Sequence, residues 1–348
     1  MLFFLLAIVS PYPSFAADPS PGRDWPAKPG DAAICTWKND ALAAISITID
    51  DNGAPFHAWW LEMTEKYNFK VTWFVITGSI TDNETAYWGS WAAFQKLANA
   101  GHDIQSHTVT HLHTESPLWK GIEADYTDSQ KAIQEHIPGS RCLTLAYPGG
   151  KNTDLNDTPT AAKYFIGARG TKGSLNALGK TDYMKVNSLG DINLQPRFAS
   201  QGLDNLFNSA SPFYRGWYCS HFHGIKPEIR EDLENKFKVL RSRMDSNDLW
   251  CGLFREICQY GQERDSAKVE IKENTPDKIT LTLTDSLDDA RFDFPLTLKV
   301  RLAPGWKQLR AQQGGSPVPA TLTTHEGGDY AQVQAVPDRG EISLTHGP

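Results

Sequence analysis

Short apolar runs alternate along this chain with stretches in which apolar residues return every three or four positions. Ala43 to Ile49 reads as a buried strand, and Phe56, Trp59, Trp60, Met63 and Tyr67 then share one face of a helix. Val71 to Ile76 is a second strand, followed by a helix marked by Trp91, Phe94 and Leu97. The cycle repeats with strands at Leu143 to Tyr147, Phe165 to Ala168 and Trp217 to His221. Late helices carry Ile229, Leu233, Phe237 and Leu240, then Trp250, Leu253, Phe254, Ile257 and Tyr260. Strand–helix alternation of this kind predicts an α/β domain over 41–262, built on a parallel sheet that is open or closed into a barrel. After Gly261 the rhythm changes to period two: Ile279, Leu281 and Leu283 alternate with threonines, as do Leu296, Leu298 and Val300 with Thr297 and Lys299. Antiparallel strands with one wet face produce that pattern, so 263–348 is expected to be a small all-β, sandwich-like domain. The proline-bearing stretch 18–40 reads as an extended lead-in.

The first residues follow a different logic. Leu2 to Val9 is an apolar run ending near small residues at Ser14 to Ala17, the layout of a secretory signal peptide over 1–17. It is too short for the ~20 apolar residues of a membrane span. Export to the periplasm or the medium is the expectation, with no stable membrane span left after cleavage. The 348 residues are 40% hydrophobic and 22% charged, an ordinary globular mixture. A formal charge of −7 with no run of Lys or Arg argues against a nucleic-acid partner or an anionic membrane surface. The five cysteines, an odd number, lack zinc-ribbon spacing and are assigned no chemistry.

The candidate chemistry sits at strand ends. His107 and His111 lie four residues apart, and on one helical turn the two imidazoles would point the same way, close enough to share a metal ion. Asp50 and Asp51 close a buried strand just before Gly53. Two adjacent acids there are costly to desolvate unless a cation compensates them, although one alone would serve as a helix N-cap. Adjacent residues on a strand point in different directions, so one carboxylate can ligate while the other faces a water. Two further strands run into Ala146-Tyr147-Pro148-Gly149-Gly150 and into Cys219-Ser220-His221-Phe222-His223.

Taken in order, these segments resemble the NodB-homology polysaccharide deacetylases of carbohydrate esterase family 4. Thr48-Ile49-Asp50-Asp51 is similar to the family's first motif, T-F-D-D, and His107-Thr108-Val109-Thr110-His111 to its second, H-[ST]-x-x-H. Ala146 to Gly150 resembles a variant of the third, and His223 the histidine of the last. The resemblance covers roughly 40–262 and implies an irregular (β/α) barrel with its chemistry at the C-terminal strand ends. It implies one divalent metal, zinc above all, on Asp51, His107 and His111. It further implies Asp50 as general base, the backbone N–H of Tyr147 as oxyanion donor, and His223 as general acid. The substrate implied is an acetylated polysaccharide or oligosaccharide, with N-acetyl groups of a hexosamine polymer as the leading case and O-acetyl polysaccharide as the alternative. A non-catalytic carbohydrate-binding protein on the same barrel is the reading of another class.

Two departures from the family pattern stand out. The arginine that opens the third motif is replaced by Ala146, and Arg169, near the end of the next strand, is the candidate to orient Asp50 in its place. The fourth motif has no match, which leaves Asp182 and Asp191 as alternatives for an acid paired with His223. His221 is the fallback for His223, since both face one side of a strand. His102 and His113 fall outside the ligand set. Trp59, Trp60 and Trp73 sit at core spacing, while Trp88 and Trp119 lie in loop-like stretches where a ring could pack or stack on a sugar. Oligomeric state is left open.

Overall fold

A computed structural model of the chain describes residues 22–83, 85–150, 158–195, 198 and 200–346. The stretch 1–17, expected to be a signal peptide, lies outside them. In chain order, β1 (Ala32–Ile34) precedes β2 (Ala43–Asp50), α1 (His57–Lys66), β3 (Thr72–Val75), α2 (Trp91–Asn99), β4 (Asp103–Ser106) and α3 (Ile122–His136). There follow β5 (Thr144–Ala146), α4 (Thr158–Tyr164), β6 (Gly167–Arg169), β7 (Trp217–Phe222), α5 (Pro227–Asp245), β8 (Leu249–Cys251) and α6 (Phe254–Ser266).

The strands pair in the order β6-β5-β4-β3-β2-β7, all parallel. β8 lies beside the first half of β2, from Ala43↔Leu249, while β3 occupies the second half, Thr48 to Asp50. The gap between β6 and β7 is spanned by single parallel bridges at Arg169↔Val186 and Leu189↔Ser220. Curling and these bridges turn the sheet into an irregular (β/α) barrel, the fold that the strand–helix rhythm and the motifs implied.

Side-chain alternation then decides what faces the lumen. On β2, Ala43, Ile45, Ile47 and Ile49 join Trp60, Met63, Trp73 and Phe94 in the layer between strands and helices. Their neighbours Ala44, Ser46, Thr48 and Asp50 point the other way and are equally buried. Register carries this parity around the barrel: Ala44 is level with Trp217, Ser46 with Cys219 and Thr48 with His221. The lower end is filled by Phe254 of α6, whose ring meets Phe74 at 5.4 Å and Trp217 at 5.3 Å. The upper end holds the polar residues.

Beyond α6 come β9 (Lys268–Asn274), β10 (Lys278–Thr284), β11 (Leu296–Arg301), β12 (Leu309–Gln313), β13 (Ser316–Pro317), β14 (Ala320–His325), β15 (Gly328–Ala335) and β16 (Ile342–His346). They form two antiparallel sheets, β1-β11-β15-β14 and β13-β12-β16-β10-β9, packed as a sandwich. Ile279, Leu281, Leu298, Val300, Val333 and Leu344 fill it, and the same apolar cluster continues through α6 to Ala44, Phe74 and Trp217 in the barrel.

Three sequence expectations change here. The lead-in 18–40 is not only extended chain, because β1 is an edge strand of the sandwich, with Ala32 opposite Val300. Trp250 lies on β8, not on the last barrel helix, because Gly252 and Leu253 intervene before α6 begins. Helix α3 escaped the pattern because its buried face mixes Asp125 and Ser129 with Tyr126 and Ile133. Among the described residues, no helix is long and apolar enough to cross a membrane.

Candidate active site

The inward parity of β4 runs through Asp103 and Gln105 and on to His107, just past the strand end. His107 is 2% exposed. Its Nδ1 lies 2.7 Å from the carbonyl oxygen of Ala146, an acceptor only, so this nitrogen donates and carries the proton. Nε2 is thereby left with its lone pair, 3.7 Å from Oδ1 of Asp51. Burial, opposed by Asp50 and Asp51, pushes the His107 imidazole below its ordinary value. His111 is pushed down to about 4, by burial first and His107 second. Both rings are therefore neutral at pH 7, which is the ligating form.

The spacing of the two histidines has a different origin from the helical turn expected of it. The segment after β4 is a loop whose residues Thr108, His111 and Leu112 have φ of 69°, 56° and 60°. Left-handed backbone is uncommon outside glycine, and for a β-branched threonine it is an outlier. Asp51 adds a fourth such residue at φ 64°. The surroundings hold these conformations in place. Asp125 on α3 accepts the Thr110 N–H on Oδ1 at 3.0 Å and the Val109 N–H on its carbonyl at 3.2 Å. The Thr108 hydroxyl accepts the N–H of His111 at 2.9 Å. Asn52 exchanges both amide bonds with the backbone of Ile76, at 2.9 and 3.0 Å, and so fixes the turn after β2. Asp125 and Asn52 were not legible as site residues, because each acts through backbone that only the folded chain brings near.

The outcome is a compact donor set. One ligand atom from each of Asp51, His107 and His111 lies within 4.8 Å of the others. Two neutral imidazoles, that of His107 with its tautomer fixed, and one carboxylate suit a borderline divalent ion, with coordination positions left open.

Beside it, Asp50 is 4% exposed and lies under the guanidinium of Arg169, which is fully buried. Nη2 of Arg169 donates to both carboxylate oxygens. Burial, the largest influence, would raise the Asp50 carboxyl; the charge and hydrogen bonds of Arg169, with His107 and His223, together outweigh it and hold the group below its ordinary value. Arg169 itself stacks 5.4 Å over Phe74 and reaches Ser188 at 3.3 Å. Ser188 gives its one hydroxyl proton to the carbonyl of Gly170 at 2.6 Å. Its oxygen must then accept from Nδ1 of His221, 2.8 Å away. Ser188 thus joins Arg169 to His221, a link the sequence did not disclose.

The N–H of Tyr147, expected to face an oxyanion, is already committed. It donates to the carbonyl of Arg169 at 2.9 Å and extends the β5–β6 ladder. Pro148 has no N–H, and that of Gly150 donates to the carbonyl of Tyr147 at 2.9 Å. On this turn the N–H of Gly149, at φ 66°, has no partner among the described residues. His223 stands at the mouth, its side chain 55% exposed and Nε2 3.9 Å from Asp50 Oδ2. His221 lies deeper and is pushed down to about 4 by burial and then Arg169. Both acids proposed for His223 are engaged elsewhere: Asp191, which shares a cavity lining with His223, pairs with Lys236 at 2.6 Å, and Asp182 accepts the N–H of Met184 at 3.0 Å. His102 is a core residue, with Nδ1 accepting the N–H of Val71 at 3.2 Å. Tyr87 and Trp88 lie over the acidic turn, held by Ala54 N–H to Tyr87 O and Gly89 N–H to Asn52 O, both 2.8 Å.

Residues 38–164 match the family model described as polysaccharide deacetylase. A curated relative, a gellan lyase of a Bacillus species, is 35% identical over 344 residues; the match takes in 92% of this chain and 13% of the lyase's length. Among solved structures, a deacetylase from Streptococcus pyogenes in complex with acetate aligns over 47% of this chain and 68% of its own, with 21% identity and a TM-score of 0.37. A family 4 acetyl xylan esterase from Clostridium thermocellum in complex with a cobalt ion aligns over 62% and 89%, with 18% identity and a TM-score of 0.38. The stretch that matches the polysaccharide deacetylase family model, residues 38–164, is the one that holds Asp50, Asp51, His107 and His111.

Proposed function

We propose that the chain is an exported hydrolase, acting in the periplasm or medium, that removes acetyl groups from a carbohydrate polymer, N-acetyl groups of a hexosamine polymer first among them. The observation that carries this reading is the donor set of Asp51, His107 and His111 within 4.8 Å, next to an Asp50 that Arg169 clamps on both oxygens. A divalent cation on that set, zinc in this reading, supplies Lewis-acid polarisation of the acetyl carbonyl and acidifies water. Asp50, kept ionised by Arg169, accepts the proton of the attacking water. The N–H of Gly149 donates to the oxygen that becomes negative in the tetrahedral intermediate, taking the part first assigned to Tyr147. His223, free to rotate at the mouth, returns a proton to the departing amine or alcohol. Tyr87, 45% exposed, with Trp88 against it at 4.9 Å, offers a ring platform on which a sugar can stack.

The Arg169–Asp50 contact also weakens the non-catalytic alternative, which a base left without an arginine would have favoured. The test is metal analysis of the wild type beside His107→Ala, with acetate release followed on chitin oligomers, peptidoglycan and acetylated xylan. One metal equivalent, lost with His107, and release from at least one substrate are expected. Metal-loaded protein inert on the whole panel would sink the proposal, and release from xylan alone would select the O-acetyl alternative.

A further inference from the structure

On the β5–β6 side of the mouth lies a cavity of about 610 Å³ with Tyr147 and Gly150 of the proline-glycine turn in its wall. Three lysines, Lys172, Lys180 and Lys185, line it, against a single acid, Asp182. That acid is engaged as the cap of the turn starting at Tyr183. Among the described residues none of the three lysines has an ion-pair partner, in a chain whose net charge is −7. A second cavity at the mouth, about 330 Å³, contrasts with it: it is lined by His221, His223, Asp191 and Asp232, and both acids pair with the one ammonium of Lys236. Among the described residues, lysines without an ion-pair partner therefore line this cavity and not the other. A concave surface of one sign focuses its field and draws in a ligand of the other.

The wall shared with the acetyl site limits what that ligand is. Tyr147 and Gly150 flank Gly149, so a group held by the lysines belongs to a sugar adjoining the acetylated one. Three ammonium groups against one engaged carboxylate favour an anionic group, and on a sugar the carboxylate of a uronic acid supplies one. Resting on the deacetylase reading above, we propose that this cavity is a subsite for a uronic acid, its carboxylate held by Lys172, Lys180 and Lys185, so that the preferred polymer is acidic.

The experiment uses the full chain with an acetylated glucuronoxylan and the same polymer after its carboxyl groups are reduced to alcohols. Binding is read by affinity electrophoresis, and KM by acetate release. Wild type is expected to bind the native polymer about five-fold more tightly than the reduced one at low salt, a gap that closes as salt rises. K172Q/K180Q/K185Q is expected to treat both polymers as wild type treats the reduced one, whereas K268Q, on the sandwich, keeps the preference. K180E guards against a merely local disturbance and is expected to reverse the order. Equal binding of both polymers by wild type, or a preference that survives the triple substitution, overturns the subsite. Absence of acetate release from either polymer counts against the deacetylase reading alone, because the electrophoretic comparison does not depend on turnover.

Discussion

Arg169 is the residue on which the site's electrostatics turn. It is the register partner of Ala146 on the neighbouring strand. The arginine missing from the third motif is thus replaced by one a single strand over, at the same height in the lumen, which is why its absence from the motif does not leave Asp50 alone. Removing it strands a buried carboxylate, so Arg169→Ala is expected to lower stability by about 3–5 kcal/mol, seen as a reduced denaturant midpoint. With the guanidinium gone, burial governs the Asp50 carboxyl and raises it, so the acid limb of the activity profile moves to higher pH. The double change Ala146→Arg with Arg169→Ala returns the guanidinium from the adjacent strand. It is expected to recover activity and midpoint relative to Arg169→Ala, and no recovery would deny that the two positions are equivalent. This much was readable from the sequence, because a strand end announces itself. The N–H of Tyr147 was not, because its partner is decided by how β5 pairs with β6.

At the scale of elements, β4 and α3 act together. Period two along β4 delivers His107 to the lumen, and α3 then fixes the loop that carries His111 through Asp125. Asp125→Ala frees the N–H of Thr110 and lets the left-handed residues relax. A supporting residue of this kind typically changes metal affinity by about 10–100-fold when lost, and a competition titration with a chelating dye checks that value. Unchanged affinity would mean that the loop holds itself. The motif spacing in the sequence placed two histidines near each other for the wrong local reason. It could not distinguish a helical turn from a loop with three positive φ angles, because helix α3, which stabilises the loop, lies well downstream and has a weak apolar signature.

Barrel and sandwich are joined by one apolar cluster running from the lumen through α6 into the sandwich. Glu263 of α6 is fully buried in it, and its carboxyl is pushed up to about 9 by burial, with Asp285, Asp293 and Asp289 adding to the rise and the Phe294 N–H opposing it. The folded protein therefore keeps a proton that the unfolded chain gives up near 4.5, so stability falls as pH climbs from about 4.5 toward 9. Glu263→Gln keeps the shape without the titration. Its Tm is expected to exceed that of the wild type at pH 8, with the gap closing near pH 5; parallel curves would refute the assignment. The boundaries suggested by the change of rhythm, 41 and 262, cut through the same cluster. A chain trimmed to 41–262 exposes Phe254, Ile257 and Trp217 and is expected to be recovered only from the insoluble fraction. A soluble, cooperatively melting fragment would restore the simpler division into independent domains. Fold class was legible because period is a local property, but the joint between the two parts was not, because it joins residues from opposite ends of the chain.

Strand β1 finds its partner β11 only after the whole barrel has been made, since Ala32 pairs with Val300. During synthesis β1, the first strand among the described residues, must therefore wait, unpaired, for one of the latest, and a closure over so long an interval is slow. A nascent barrel still lacking 263–348 leaves Phe254, Ile257 and Trp217 without their sandwich partners, so stable closure is expected only once the full chain has been released.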